Sequence, residues 1–306
     1  MLDPRDSVHD RSSTEAIADE LVELVLDWHQ RLSVFSPASL ISRINRTPPG
    51  QAMRVDPDLF DLLRLCENLR SETEGAFNIA AGTLMHTHGF RDARNQDCTD
   101  ELDLDLDKAV SLDPDTLSVV RNDAQVSIDL GAIAKGYVLD LIGLELRHYG
   151  IEHAFIHGGT SSAIAMGQRT PADPWSVRLH EAPVFDAQLR GVMGLGISDI
   201  TGRVVHAGAD ASLGHIMDPR TNRPAATEIA RAACTHPSAA IADAYSTALN
   251  VRPDLTDTLH EHGCSIVLFP TDTQSHAPTV RDRLGVFRSS TVCARVSAGK
   301  DSSCPM

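Results

Sequence analysis

The segment from Gln125 to Gly150 constrains this chain more than any other. Gln125 to Leu130 reads as a strand, and it runs without a spacer into Gly131. A helical pattern follows from about Ala132 to Tyr149, closed by Gly150. A strand that carries an acid, Asp129, and turns at a glycine into a helix leaves free backbone N–H groups at the helix start. Such a terminus favours anions, and Lys135 adds a mobile positive charge in the first turn. The place suits a phosphate or a nucleotide hydroxyl. It is not a Walker A loop, because the glycine and Ser/Thr spacing is wrong. Taken alone, the segment reads equally as a plain turn with a solvated lysine.

Around this segment, strands and helices alternate irregularly, which favours an α+β fold over a doubly wound sheet. Thr14 to Leu32 is expected as a helix, with Ala18, Leu21, Val22, Val25 and Leu32 on its apolar stripe and a Ser12/Glu15 capping box. A polar loop follows through Ser39 to Asn45. Asp56 and Pro57 then open the best-signalled helix, whose inner face is Leu59, Leu62, Leu63, Cys66 and Leu69. Leu117 to Arg121 pairs with Gln125 to Leu130 as a hairpin across Asn122-Asp123. Ala154 to Ile156, Trp175 to Leu179, Val192 to Ile197 and Cys264 to Phe269 are further strands. Ala239 to Val251 is a helix. The 306 residues, 42% hydrophobic, suffice for a sizeable core. We expect a single domain over residues 14–290, with disordered tails at 1–13 and 297–306.

Charge excludes several roles. The 27 Lys and Arg stand against 42 Asp and Glu, a net charge of -15. That lacks the basic footprint of a nucleic-acid binder and argues against anionic membranes. No apolar run reaches the roughly 18–20 residues of a membrane span, so no membrane insertion is expected. The N-terminus has no apolar signal-peptide core, which points to the cytoplasm. The six cysteines form no Cys-x-x-Cys and read as small buried residues. His86-Thr87-His88 and His260-Glu261-His262 lack a third metal ligand at a recognisable spacing and read as ordinary histidines.

Three more segments could carry chemistry. His157-Gly158-Gly159-Thr160-Ser161-Ser162 allows close backbone approach and offers three hydroxyls, or is a simple turn. His215-Ile216-Met217-Asp218-Pro219-Arg220 offers a base, with Arg220 free to meet a phosphate or to brace the loop through Asp218. Asp243 and Thr247 are four residues apart on one helix face, a carboxylate and a hydroxyl that suit a hard cation such as Mg²⁺. Taken alone, that last pattern is better fitted by an interior Thr bonding its own helix carbonyl while Asp243 caps or faces water.

Taken in order, these pieces resemble the FAD:protein FMN transferase family, also called ApbE. The matching residues are Ser39 to Asn45, Gly75 to Asn78, Ile128 to Asp140, His157 to Gly159, His215 to Thr221 and Ala242 to Leu249. The resemblance implies a two-lobed α+β fold with a mixed, mainly antiparallel sheet and flanking helices. It implies FAD as substrate, Mg²⁺ as cofactor, and an acceptor protein whose Thr or Ser hydroxyl receives FMN while AMP leaves. FAD would meet Ala76, Phe77, Asn78, Asp129, Lys135, Gly158, Gly159, Ile216 and Met217. Mg²⁺ would sit among Asp243, Thr247, the Ala132 carbonyl and the Ser246 carbonyl. His215 matches the proposed general base. Alternative readings are a Mg²⁺-dependent FAD pyrophosphatase and a non-catalytic flavin binder. The chain departs from the family at Asn78, usually Asp, at Asn222, commonly Gly, and at Thr160, commonly an acid. It also has no Met-Gly-Thr strand and is expected to start past it.

Overall fold

The computed structural model describes residues 11–88, 104–181, 184–200, 204–206, 212–272 and 276–290. In chain order the elements are α1 (Arg11–Leu32), α2 (Leu40–Arg46), β1 (Ala52–Arg54), α3 (Pro57–Glu72), α4 (Gly82–Thr87), β2 (Val110–Asp113), β3 (Ser118–Arg121) and α5 (Ala134–His148). The next are β4 (Ala154–His157), β5 (Ser162–Met166), β6 (Trp175–Glu181), β7 (Val184–Leu189), β8 (Met193–Asp199), β9 (Val204–His206) and β10 (Ser212–Gly214). β11 (Met217–Asp218), β12 (Arg223–Pro224), β13 (Ile229–His236), α6 (Ala239–Val251), α7 (Thr256–Glu261), β14 (Ser265–Pro270), β15 (Thr279–Arg281) and β16 (Phe287–Ser290) complete the chain.

The centre is a six-stranded sheet in the order β15-β14-β13-β8-β5-β4, antiparallel at every pairing. It is buried on both faces. Ile266, Leu268, Ala232 and Cys234 join the core on one side, with the helices. Ala163, Ala165, Leu195, Ala233, Val267 and Phe269 pack the other way, against Leu179, Phe185, Ala187, Leu189 and Phe287 of the β16-β7-β6 sheet. Alternate residues of one strand therefore serve two cores.

β8 shows how helix and sheet meet. Gly194, Gly196 and Ser198 share one face by the two-residue strand repeat. A Cβ on Gly194 would lie 2.4 Å from Ala239 Cα, and one on Gly196 would lie 2.2 Å from the Ala242 carbonyl oxygen. The two glycines let α6 rest on the strand backbone. Gly136 does the same between α5 and α6, where a Cβ would lie 2.1 Å from the Ala239 oxygen.

Several expectations hold. α3 begins at Pro57 behind the Asp56 cap, whose carboxylate accepts from Leu59 N. Its five expected apolar residues are all buried. α5 and α6, and the strands near 154, 175, 193 and 265, fall where the pattern put them.

Others change. α1 starts at Arg11, so Ser12 lies inside the helix rather than capping it, and residues 11–13 open a helix rather than a tail. Residues 1–10 and 291–306 lie outside the described residues, as does most of the acidic stretch before Asp107. The inward stripe of α1 is the buried Ile17, Trp28 and Leu32 with the half-buried Leu21 and Leu24, while Val22 and Val25 are exposed. Trp28 sets this rotation by packing edge-on against Tyr137 of α5, with Arg31 over its ring. Leu40 to Arg46 is a short helix rather than loop, started by Ser39, whose hydroxyl accepts from Ser42 N. Gln125 to Leu130 is not a strand. Its backbone groups bond to distant side chains: Asn45 with Ile128 N and O, Thr83 with Ser127 N, and Arg121 with Val126 O. These bonds replace a ladder, and β3 pairs with β1 and β2 instead.

Candidate active site

The start of α5, the turn after β4, the ends of β6 and β8, the 215–219 segment and α6 enclose one cavity of about 980 Å³. That is the upper end of the range for small-molecule sites. Among the residues singled out in the sequence, Ala76, Phe77, Asn78, Asp129, Ala132, Lys135, Gly158, Gly159, His215, Ile216, Met217, Asp243 and Thr247 all line it. Residues up to 171 positions apart in sequence, from Ala76 to Thr247, thus meet on one surface.

α6 presents Asp243 from the buried side. The residue is 3% exposed, and its carboxylate accepts from Ser162 Oγ at 2.8 Å and from Gly136 N at 3.2 Å. Lys135 Nζ lies 3.4 Å away and also donates to the Gly131 carbonyl. Asp243 therefore occupies the first turn of α5, where backbone N–H groups favour an anion. Burial pushes its carboxyl above the ordinary carboxylate range, against the pull of the Lys135 ammonium, the Ser162 hydroxyl and the Gly136 N–H. Asp140 of α5 holds the start of α6 in place. Its carboxylate accepts from Ser238 Oγ, Ala239 N and Ala240 N.

Asp129 caps its own turn by accepting from Gly131 N at 2.8 Å. Gly158 N closes the β4–β5 turn on Ser162 O, and Gly159 takes φ +81°, a conformation glycine adopts without strain. His215 is half-buried on the cavity wall, ahead of the buried Ile216 and Met217. Arg220 braces the loop: its guanidinium grips Asp218 through two bonds, at 2.9 and 2.7 Å.

Two departures from the family pattern have local reasons. Asn78 spends both ends of its amide on the protein, with Nδ2 donating to Leu106 O and Oδ1 accepting from Ala80 N. A carboxylate there could not donate to Leu106. Asn222 sits at φ +57°, where glycine and asparagine are both tolerated.

Ser246 is the one expected site residue that the structure keeps away from the cavity. It is fully buried, and its carbonyl accepts from Asn250 Nδ2 at 3.2 Å. Sequence reading also missed lining residues. Arg231 pairs with Asp199 across the β13–β8 register, donating through Nε at 2.9 Å and Nη2 at 2.7 Å, and both face the cavity beside Arg178. Ser198, also on the wall, bonds to Thr247. A lone charge or hydroxyl in an apolar strand gave no signal, although the Gly194-x-Gly196-x-Ser198 alternation marks the face that meets α6.

The donor chemistry fits a hard cation. Asp243 can give a carboxylate, Thr247 a hydroxyl and Ala132 a carbonyl, all oxygen, and all three residues line the cavity. Among the described residues no three His, Cys, Asp or Glu side chains converge on one point. His88 and His260 bond instead to the carbonyls of Asn222 and Cys264. Among the described residues no helix is long and apolar enough to cross a membrane.

The ApbE family matches residues 6–264, and this chain belongs to it. An FAD:protein FMN transferase of Klebsiella pneumoniae is 29% identical over 234 residues, 71% of this chain and 70% of the relative. One of Rhodobacter capsulatus is 28% identical over 84% of this chain, a match that spans half of that relative's length. The ApbE protein of Thermotoga maritima superposes with a TM-score of 0.75 at 21% identity, covering 88% of this chain and 89% of that one. The flavinyl transferase ApbE of Pseudomonas stutzeri gives 0.74 at 21% identity, covering 87% and 86%. The antiparallel sheet with flanking helices is thus the fold of these proteins.

Proposed function

We propose that this protein transfers FMN from FAD to a Thr or Ser hydroxyl of an acceptor protein, with Mg²⁺ as cofactor and AMP as the leaving product. The observation that carries this reading is that Asp243, Thr247, Ala132, Lys135 and His215 all line one large cavity. The two curated relatives described above bear the name of that activity.

Asp243, Thr247 and Ala132 would hold the cation, which when bound neutralises pyrophosphate charge and polarises its P–O bonds. Lys135 adds positive charge on the same wall. Asp129 and the glycine turn of 158 and 159 line the part of the cavity that the nucleotide would occupy. His215 accepts the proton of the acceptor hydroxyl. That oxygen forms a bond to the FMN phosphorus as the bond from phosphorus to the bridging oxygen breaks. The bridging oxygen departs with AMP, and FMN remains as a phosphoester. Water in place of the hydroxyl would give FMN and AMP.

Asp243→Ala should abolish Mg²⁺-dependent AMP release from FAD while FAD is still bound, read by fluorescence quenching. Turnover in that variant with unchanged Mg²⁺ dependence would sink the assignment.

A further inference from the structure

Three hydroxyls, Thr247, Ser198 and Ser246, lie in a row behind the proposed cation site. Ser246 Oγ donates to the Asp243 carbonyl at 2.8 Å. A hydroxyl has one proton, so Ser246 can only accept from its other neighbour, Ser198 Oγ at 3.0 Å. The Ser198 proton is thereby committed to Ser246. Ser198 keeps lone pairs for its remaining neighbour, Thr247 Oγ1, also at 3.0 Å. Thr247 has another acceptor within reach, the Asp243 carbonyl, at the longer distance of 3.3 Å. With Ser246 donating to the Asp243 carbonyl, the order of protons that satisfies every contact runs from Thr247 to Ser198 to Ser246 to that carbonyl. Such chains strengthen each bond in turn.

The backbone fixes this row from both sides. Ser198 follows Gly194 and Gly196 on the face of β8 that carries α6. Asn250 Nδ2 bridges the carbonyls of Ser198 and Ser246 at 3.0 and 3.2 Å. Strand and helix cannot slide without breaking this clamp.

We propose that Ser198 is a positioning residue: it takes the Thr247 proton out of the cavity, so that Thr247 Oγ1 faces the cation with lone pairs only. This rests on the reading of a hard cation at Asp243 and Thr247. Without the Ser198 oxygen, the Thr247 hydroxyl keeps only the longer bond to the Asp243 carbonyl at 3.3 Å, and its oxygen is held less firmly towards the cation.

The test is Mn²⁺ binding to the full chain, counted by loss of the free-ion EPR signal, for wild type, Ser198→Ala, Thr247→Val, the double variant and Asp243→Asn. Loss of a partner that orients a ligand costs about 10–100-fold in metal affinity. Ser198→Ala should weaken Mn²⁺ binding by that factor, and Thr247→Val by at least as much. The double variant should bind no more weakly than Thr247→Val alone, because Ser198 acts through the Thr247 oxygen. Unaltered Mn²⁺ affinity in Ser198→Ala, or additive losses in the double variant, would overturn the proposal. Failure of the cation reading looks different: wild type and Asp243→Asn would then bind Mn²⁺ equally, and both ideas would fall.

Discussion

Replacing Gly136 by alanine should separate stability from turnover, and Gly143 on the same helix provides the control. A Cβ at 136 would lie 2.1 Å from the Ala239 oxygen and 2.7 Å from Ala240 Cα. The nearest carbon, the Ala239 carbonyl carbon, would lie at 2.5 Å; carbon–carbon contacts settle at about 3.5–4.0 Å, so α6 has to retreat by at least about 1.0 Å. A Cβ at 143 would meet only Ile164 Cδ1 at 3.3 Å and Met166 Sδ at 3.8 Å. Both substitutions gain about 1 kcal/mol of helix propensity. At 136, overpacking removes about 1–3 kcal/mol, for a net loss of about 0–2 kcal/mol. The effect on chemistry is larger. α6 carries Asp243 and Thr247, while α5 and its entry turn carry Lys135 and Ala132. A displacement near 1 Å between catalytic groups costs about 100-fold. Gly136→Ala should therefore fold, melt within a few degrees of wild type, and release AMP from FAD about 100-fold more slowly. Gly143→Ala should keep its rate and melt at or above the wild-type temperature. Thermal melts and AMP release measured on the same preparations decide it. A full rate in Gly136→Ala, or equal losses in both variants, would refute the claim that close α5–α6 contact sets the site.

Two further outcomes follow from buried polar groups. Burial holds the His236 imidazole below its ordinary pKa, so the folded protein prefers the neutral ring, and stability is lost as pH falls from about 6.5 through that depressed value. His236→Asn keeps an acceptor for Ser238 N and should flatten the fall in melting temperature between pH 7.5 and 5.5; an unchanged slope would count against it. Asn78→Asp should cost about 1–3 kcal/mol, because the Leu106 carbonyl loses its donor and faces a carboxylate, and an unshifted denaturation midpoint would contradict this.

How much was legible beforehand depended on whether a residue's role was local. Asp56 and Pro57 announced α3 because a cap acts on the next turn of chain. Asp243 and Thr247 were readable because four residues of helix set their common face. Gln125 to Leu130 misled because its backbone partners, Asn45 and Thr83, come from more than 40 positions away. The α1 stripe was misjudged by a small rotation, since which apolar side faces inward depended on Tyr137 of another helix. Arg231, Asp199 and Ser198 gain meaning only from the β8–β13 register and the glycine-mediated approach of α6. Ser246 was expected to offer its carbonyl, but helix geometry turns that oxygen towards Asn250.

Weighing an acceptor reads out the transfer of FMN itself. The purified protein would be incubated with FAD, Mg²⁺ and a candidate acceptor bearing an Asp-Gly-x-Ser/Thr-Gly-x-Thr segment, with His215→Ala in parallel, and intact-mass spectra recorded. The account requires a gain of one FMN phosphoester, abolished by EDTA and absent with His215→Ala although that variant still binds FAD. Mg²⁺-dependent AMP without any gain across acceptors would make the protein a hydrolase, and a gain that survives EDTA or the loss of His215 would contradict the chemistry assigned to this site.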